Sequence, residues 1–139
     1  MHDRILVIDG QGGQLGSQLI RALTARFPGL KLTAVGTNAA ATAAMLKAGA
    51  ERAATGENPV IVACRKAELI IGPIGIVIAD ALMGEVTPAM AVAVGQADAV
   101  RILIPMNKCE NQVAGVNAMS TSVLIQDAVE KVAGFLNSQ

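Results

Sequence analysis

A short apolar run that ends directly in a glycine-rich loop constrains the fold of this chain more than any other feature. The run is predicted to be a strand over residues 4–9, and four of the seven residues at 10–16, here called the glycine loop, are glycine. Residues 14–27 carry an apolar stripe at helical spacing, so a helix is predicted to follow. The unpaired amides and the positive dipole end of that helix would face the loop, and this geometry binds phosphate and other anions.

The glycine spacing sharpens this hypothesis. Glycines at positions 10, 13 and 16 form the pattern G-x-x-G-x-x-G, one of the spacings used by Rossmann-type nucleotide-binding proteins. Glycine adopts positive φ at no steric cost and lets the backbone approach a ligand closely. The alternative is that the glycines serve only to pack the helix tightly on the strand, because such turns also occur without a ligand.

Strands and helices alternate along the remaining chain. This alternation predicts one α/β domain over residues 1–139, a three-layer Rossmann-like sandwich with a mainly parallel sheet of about five strands. Asn38, Asn58, Thr87 and Ser120 are placed at or next to predicted helix starts. The predicted strands are residues 4–9, 31–36, 51–55, 69–71 and 100–104, with a further edge strand at 113–116. The predicted helices are residues 14–27, 38–47, 59–66, 75–83, 88–94 and 120–136, the last with Val123, Leu124, Ala128, Val132 and Leu136 facing inward.

Small and polar residues gather where the predicted strands end. In a parallel sheet these ends share one rim, and ligands of doubly wound folds bind there. The glycine loop would hold a phosphate, residues 37–38 would meet a ribose or its equivalent, and residues 72–75 would form the facing wall. The candidate binding residues are therefore Asp9, Gly10, Gln11, Gly12, Gly13, Gly16, Thr37, Asn38, Gly72, Pro73 and Gly75, while residues 105–109 end the next strand on the same rim.

The end of the second strand argues against a tightly bound NAD. Dinucleotide sites usually have Asp or Glu there to hold the ribose hydroxyls, whereas this chain has Gly36, Thr37 and Asn38. Neutral hydrogen bonds from Thr37 and Asn38 would replace only part of that interaction. A mononucleotide or a simpler phosphate ester is therefore expected to compete well with NAD.

Candidate catalytic groups are few, and no catalytic residue is assigned. Asp9 could hold Mg²⁺ through water or accept hydrogen bonds from its own turn. Asp80, in a predicted apolar helix, could be an acid with a raised pKa or a carboxylate facing a cleft or another subunit. Glu57 precedes a helix, where capping is the default. Cys109 lies on the rim without a base, since the only histidine is His2, and Cys64 is predicted to be a core thiol; no Cys/His cluster has metal-site spacing.

Composition narrows the partners and the compartment. Acidic and basic residues balance at 11 each and there is no Trp or Tyr, so nothing favours nucleic acid or an anionic membrane. Charged residues make up only 16% of the chain, and the predicted helix at 76–83 is apolar nearly all round. A homo-oligomer, most simply a dimer, is therefore expected. Two widely spaced cysteines and no predicted signal peptide or membrane span indicate a cytoplasmic protein.

Seven short segments spread over nearly the whole chain resemble one small bacterial family with a Rossmann-like fold. The family is a domain of unknown function, so the resemblance implies no reaction, substrate or catalytic residue. The segments are residues 8–13, 36–38, 44–50, 54–58, 72–76, 84–88 and 104–109.

Three functions follow from the sequence. The first is binding of a nucleotide or phosphorylated small molecule at the glycine loop. The second is a small enzyme that uses NAD(P) or acts on a phosphorylated substrate, although the chain has no obvious acid–base pair. The third is a structural homo-oligomer in which the glycine loop has only a packing role.

Overall fold

The chain folds around one five-stranded, all-parallel sheet in the order β3-β2-β1-β4-β5. The structure, a computed structural model, describes residues 4–106 and 110–138. The predicted α/β sandwich is thus confirmed. The strands are β1 (Ile5–Asp9), β2 (Leu32–Gly36), β3 (Arg52–Thr55), β4 (Leu69–Pro73) and β5 (Val100–Ile104), and the helices are α1 (Gln14–Arg26), α2 (Ala39–Ala48), α3 (Glu57–Lys66), α4 (Pro88–Gln96) and α5 (Thr121–Asn137).

Two apolar cores lie on the two faces of the sheet. One is formed with α1, α2 and α5 and contains Leu19 and Val132; the other is formed with α3 and α4 and contains Val60 and Val94. The central strands β1 and β4 are buried along their whole length. Burial on both faces explains why their sequences are continuous apolar runs, as is usual in parallel sheets.

Most helix starts follow the capping pattern of the sequence. The Asn38 side chain accepts a hydrogen bond from the Ala41 amide, and the Thr87 hydroxyl accepts one from the Met90 amide. The expectation that Asn58 caps α3 is wrong. Helix α3 begins at Glu57 after Gly56, because glycine provides the positive φ of the turn and the Glu57 carboxylate favours the positive end of the helix dipole.

The predicted helix at 75–83 is also wrong. A short 3₁₀ turn at Ile74–Val77 gives way to successive turns, and residues 78–87 form a compact segment here called the rim loop. Asp80, Leu82 and Met83 have left-handed backbones, with φ of 65°, 56° and 57°. These positive φ values are incompatible with a right-handed helix, and the turns bury Leu82 while Met83 is 94% exposed. Asp80 is an exposed turn residue, not an acid in an apolar helix, and the oligomer prediction loses this part of its basis.

Two smaller corrections concern the C-terminal part of the chain. Residues 113–116 form a turn rather than an edge strand, since Gly115 has a φ of 83° and the Val116 amide donates to the Val113 carbonyl. Val123 is half exposed rather than inward-facing. The buried stripe of α5 runs instead through Ile125 and Val129, together with Ala128, Val132 and Phe135, while Leu124 and Leu136 are partly buried. Within the described residues, no helix is long and apolar enough to cross a membrane.

Candidate functional site

The glycine loop joins the carboxyl end of β1 to the first turn of α1. Its backbone closes through a hydrogen bond from the Gly13 amide to the Gly10 carbonyl, 2.9 Å long. Gly13 has a φ of 73°, and a Cβ there would lie 2.8 Å from the Ala41 Cα of α2. Position 13 therefore requires glycine for its backbone conformation and for the close approach of α2.

Asp9 holds the loop together from inside. Its two carboxylate oxygens accept hydrogen bonds from the Gly10 amide at 2.8 Å and the Gly16 amide at 2.7 Å. Burial raises the pKa of Asp9, these two hydrogen bonds act in the opposite direction, and Glu85 adds a smaller upward contribution. Of the two roles considered for Asp9, the hydrogen bonds to its own turn are what the structure contains.

Glu85, in the rim loop, is a central residue of the site that the sequence analysis missed. One of its oxygens, Oε1, accepts hydrogen bonds from the Gln11 amide at 2.8 Å, the Thr37 hydroxyl at 2.6 Å and the Asn38 side-chain amide at 2.8 Å. Burial acts to raise the pKa of Glu85, but the three hydrogen bonds outweigh it and the pKa is lowered. Three donors that converge on one oxygen form a cradle for an anionic group, and here the chain's own carboxylate fills it.

Thr37 and Asn38 do meet the glycine loop, as predicted from the strand ends. The Thr37 amide donates to the Asp9 carbonyl at 3.0 Å, and the Asn38 side-chain amide also donates to the Gln11 carbonyl at 2.9 Å. A carboxylate does reach the end of β2, but it is that of Glu85, 47 residues beyond Asn38 in the chain, and it occupies the Thr37 and Asn38 donors. The sequence alone does not indicate this contact, because it depends on the path of the rim loop.

Of the residues predicted to form the facing wall, Gly75 lies against the rim loop. Gly72, Pro73 and Gly75 are all buried. A Cβ on Gly72 would lie 2.4 Å from the Ile8 carbonyl oxygen, and one on Gly75 would lie 3.2 Å from the Ala81 Cβ. The rim loop therefore covers the point between β1 and β4, where the strand order reverses and ligands of such sheets bind.

A cavity of about 300 Å³ lies on the other side of the glycine loop, between the first turns of α1 and α5. Both helices point their N-termini at it, because both run antiparallel to the strands on the same face of the sheet. The amides of Gly12, Gln14 and Leu15 donate to no group among the described residues. The lining comprises residues 9–15 together with Gln18, Met106 and Thr121.

Cys64 lies away from this site. Cys64 lies in the core between α3 and the sheet, as predicted, and burial raises its pKa to about 11. His2 and Cys109 lie outside the described residues, as do Asn107 and Lys108 of the predicted rim. Within residues 4–106 and 110–138, no group of three or more His, Cys, Asp or Glu side chains is arranged to hold a metal ion.

The family model of a domain of unknown function, DUF3842, matches residues 4–137. The chain belongs to this family. The resemblance inferred from the short segments is therefore confirmed, and the membership carries no reaction or ligand with it. No curated protein and no solved structure is significantly similar to the chain.

Proposed function

We propose that this member of the family binds a small phosphorylated ligand, with its phosphate in the cavity between the first turns of α1 and α5. The observation that carries the proposal is the set of amides at Gly12, Gln14 and Leu15, which donate to no described residue and belong to residues that line the cavity at a helix N-terminus. Thr121 adds a hydroxyl at the first turn of a second helix. Both helix dipoles favour an anion at this place.

The space around each glycine distinguishes a ligand-binding role from a packing role. A Cβ on Gly13 or Gly16 would collide with α2, at 2.8 Å from Ala41 and 2.6 Å from the Met45 sulfur, so packing explains both. A Cβ on Gly12 would have nothing within 4 Å. Gly12 is exposed at the mouth of the cavity, where a ligand that approaches the backbone would account for the absence of a side chain.

Size and charge favour a modest ligand. A cavity of about 300 Å³ is at the lower end of ligand pockets, which span roughly 300–1,000 Å³. This favours a mononucleotide or smaller phosphate ester over a dinucleotide. No Lys or Arg occurs among the described lining residues, so amides and helix dipoles provide the attraction and the expected affinity is micromolar to millimolar.

The second part of the ligand is expected at Thr37 and Asn38. In this structure, the Glu85 carboxylate occupies their hydrogen-bonding groups. A ribose or a second anionic group would replace that carboxylate, and the rim loop would move aside to expose Gly72, Pro73 and Gly75. The left-handed backbone at Asp80, Leu82 and Met83 supports such a role, because backbone strain is concentrated at sites that move or bind.

Substitution of Gly12 tests the proposal. Inorganic phosphate, AMP, ATP and NAD are titrated into the wild type, Gly12→Val and Gly95→Val, with calorimetry and amide chemical shifts as readouts. AMP or phosphate is expected to shift the amides of the glycine loop, and Gly12→Val to abolish this without unfolding, since its side chain enters open space. Gly95→Val is the matched control, because Gly95 is exposed on α4 and also has nothing within 4 Å of its Cβ.

Two results would overturn the proposal. One is the absence of binding by every probe at millimolar concentration, and the other is a Gly12→Val protein that binds as the wild type does. Micromolar binding of NAD, much tighter than that of AMP or ATP, would instead favour an NAD-dependent enzyme. Asn38→Ala should then weaken NAD binding.

We also propose that the protein is cytoplasmic and forms a homodimer. A charged fraction of 16% and half-exposed apolar side chains such as Val92 and Val100 support self-association. Light scattering that gives the monomer mass at tens of micromolar, roughly the working range for a modest interface, would contradict the dimer.

A further inference from the structure

A second cleft lies far from the glycine loop, between α3 and the edge of the sheet at β2 and β3. Its volume is about 540 Å³. It exists because α3 leads back across the sheet from the edge strand β3 to β4 and packs against α4, which leaves part of β2 and β3 uncovered. Two helices, α3 and α4, cover this face, whereas three cover the other.

The walls of the cleft are mainly apolar. Leu6, Thr33 and Arg52 are in register on β1, β2 and β3, and so share one face of the sheet; Val35 and Ala54 form the next row on that face. Opposite them, one side of α3 contributes residues at helical spacing. These lining residues of α3 are Pro59, Val62, Ala63 and Lys66.

Three cationic residues line one end of this cleft. Arg4 precedes β1 and Arg52 begins β3, so both lie at the amino ends of parallel strands. Lys66 is the last residue of α3, which runs antiparallel to the strands and ends at the same edge. None of the three side chains makes a hydrogen bond or an ion pair with another residue in the described part of the chain.

We propose that this cleft binds an amphipathic carboxylate, a small acid with an apolar body. The carboxylate would lie between Arg4, Arg52 and Lys66, since a guanidinium binds a carboxylate through two parallel hydrogen bonds. The apolar body would extend toward the start of α3, over Val35 and Val62. Apolar walls with a few convergent polar groups are what small-molecule pockets have in common.

The same features decide against other occupants. A free phosphate would leave the apolar walls unused. A nucleic acid would find no aromatic side chain among the lining residues of this cleft, although base stacking depends on such side chains. A second copy of the chain is the remaining alternative, and the experiment includes it.

Octanoate is the probe for the experiment, with octylammonium as the matched ligand of opposite charge. Binding to the wild-type protein is followed by amide chemical shifts and calorimetry. Saturable binding is expected with a dissociation constant below about 1 mM, with shifts confined to the start of β1, including Arg4, and to β2, β3 and α3. Octylammonium is expected to bind at least about ten-fold more weakly, because it loses the charge-assisted hydrogen bonds.

Two charge variants locate the carboxylate. Arg52→Ala combined with Lys66→Ala is expected to weaken octanoate binding by at least about ten-fold. Arg65→Ala is the control, because Arg65 neighbours Lys66 on α3 and is exposed but does not line the cleft. Ala54→Leu fills the floor from an exposed position on the edge strand and should also abolish binding. Urea unfolding verifies that each variant is folded.

Several results would overturn the proposal. One is no saturable octanoate binding to the folded wild type at about 10 mM. Another is equal weakening by Arg65→Ala and by the double variant, which would mean binding to general surface charge. Equal affinity for octanoate and inorganic phosphate would remove the role of the apolar walls. Sedimentation that shows a dimer dissociated by Ala54→Leu would assign the cleft to a second copy of the chain.

Discussion

The carboxyl ends and the amino ends of the parallel strands, here called the carboxyl edge and the amino edge of the sheet, differ in how their charged side chains are paired. At the carboxyl edge, the carboxylates of Asp9 and Glu85 receive five hydrogen bonds from the glycine loop and the end of β2. At the amino edge, Arg4, Arg52 and Lys66 have no such partner within the described chain. The charges of the first edge thus help to hold the fold, whereas those of the second have no partner within residues 4–106 and 110–138.

This difference changes how a conspicuous motif should be interpreted. The glycine loop drew attention because its amides could bind an anion, yet Asp9 and Glu85 already take three of those amides. The cleft at the other edge has no motif at all, and its cations are separated by 14 to 62 positions in the sequence. This is why we propose the second site from cations that lack a described partner rather than from a sequence motif.

The largest effect is expected at Gly13, where the backbone of the carboxyl edge has the least freedom. Gly13→Ala forces an L-residue into a left-handed conformation, which costs about 1–2 kcal/mol, and places its Cβ 2.8 Å from the Ala41 Cα. We expect the free energy of unfolding to fall by about 3 kcal/mol or more. Urea denaturation measures this change.

Gly12→Ala is the matched control for that experiment. The two glycines are adjacent, but a Cβ at position 12 meets nothing within 4 Å and Gly12 has an ordinary φ. Its free energy of unfolding should therefore stay within about 0.5 kcal/mol of the wild type. Similar losses at both positions would show that the close packing of α1 against α2 does not set the requirement at Gly13.

Glu85 should give the next largest effect. Glu85→Ala leaves the Gln11 amide, the Thr37 hydroxyl and the Asn38 side-chain amide without their shared acceptor. Their partial access to water limits the loss, so we expect the free energy of unfolding to fall by about 1–3 kcal/mol. Glu85→Gln keeps an acceptor oxygen and should lose less. Proteolysis within the rim loop should accelerate in both variants, and faster cleavage elsewhere instead would contradict this role of Glu85.

The strands and most helices were predictable because their signals are local. Continuous apolar runs follow from burial on both faces of a parallel sheet, and Thr87 shows the side-chain cap that its sequence position indicates. The rim loop was not predictable for the opposite reason. Its conformation depends on burying Leu82 and Val86 beneath the strand ends while Glu85 reaches the cradle, and no periodicity records those distant contacts.

The residues of the candidate sites also differ in whether their signals are local in the sequence. The positions of the glycines and the ends of the strands can be recognised in the sequence, as can the absence of a carboxylate after β2. These signals predicted that Thr37 and Asn38 lie at the candidate site. Glu85 and the cleft at the amino edge result from the path of the chain between elements. Arg52 and Lys66 belong to different elements, and only the register of β3 and the direction of α3 bring them to one end of a cleft.

The pH dependence of stability should separate the two carboxylates. The pKa of Glu85 is lowered by folding, so its stabilisation is present above its ordinary value of 4.5 and is lost as the pH falls through the lower folded value. The pKa of Asp9 is raised, mainly by burial, so its contribution is present below 3.8 and is lost as the pH rises through the folded value. The two carboxylates therefore change the free energy of unfolding in opposite directions as the pH rises.

Glu85→Gln makes this prediction measurable. The difference in free energy of unfolding between the wild type and Glu85→Gln should shrink as the pH falls below 4.5, since a protonated Glu85 resembles glutamine. The pKa of Asp9, followed by carboxyl carbon shifts, should also fall in this variant because the smaller upward contribution of Glu85 is removed. A difference that stays constant with pH would mean that the Glu85 charge adds nothing to the cradle.

The smallest effect on stability is expected at the amino edge. A small change in the free energy of unfolding there would distinguish the amino edge from the carboxyl edge. Arg52→Ala and Lys66→Ala remove exposed cations that form no ion pair with a described residue and that lie near another cation. Each should change the free energy of unfolding by less than about 0.5 kcal/mol, and relief of like-charge repulsion makes a slight gain the expected sign at low salt. Urea denaturation at low and at high salt measures both quantities. A loss above about 1 kcal/mol at either position would show that the cation already has a structural partner, and the contrast between the two edges would then fail.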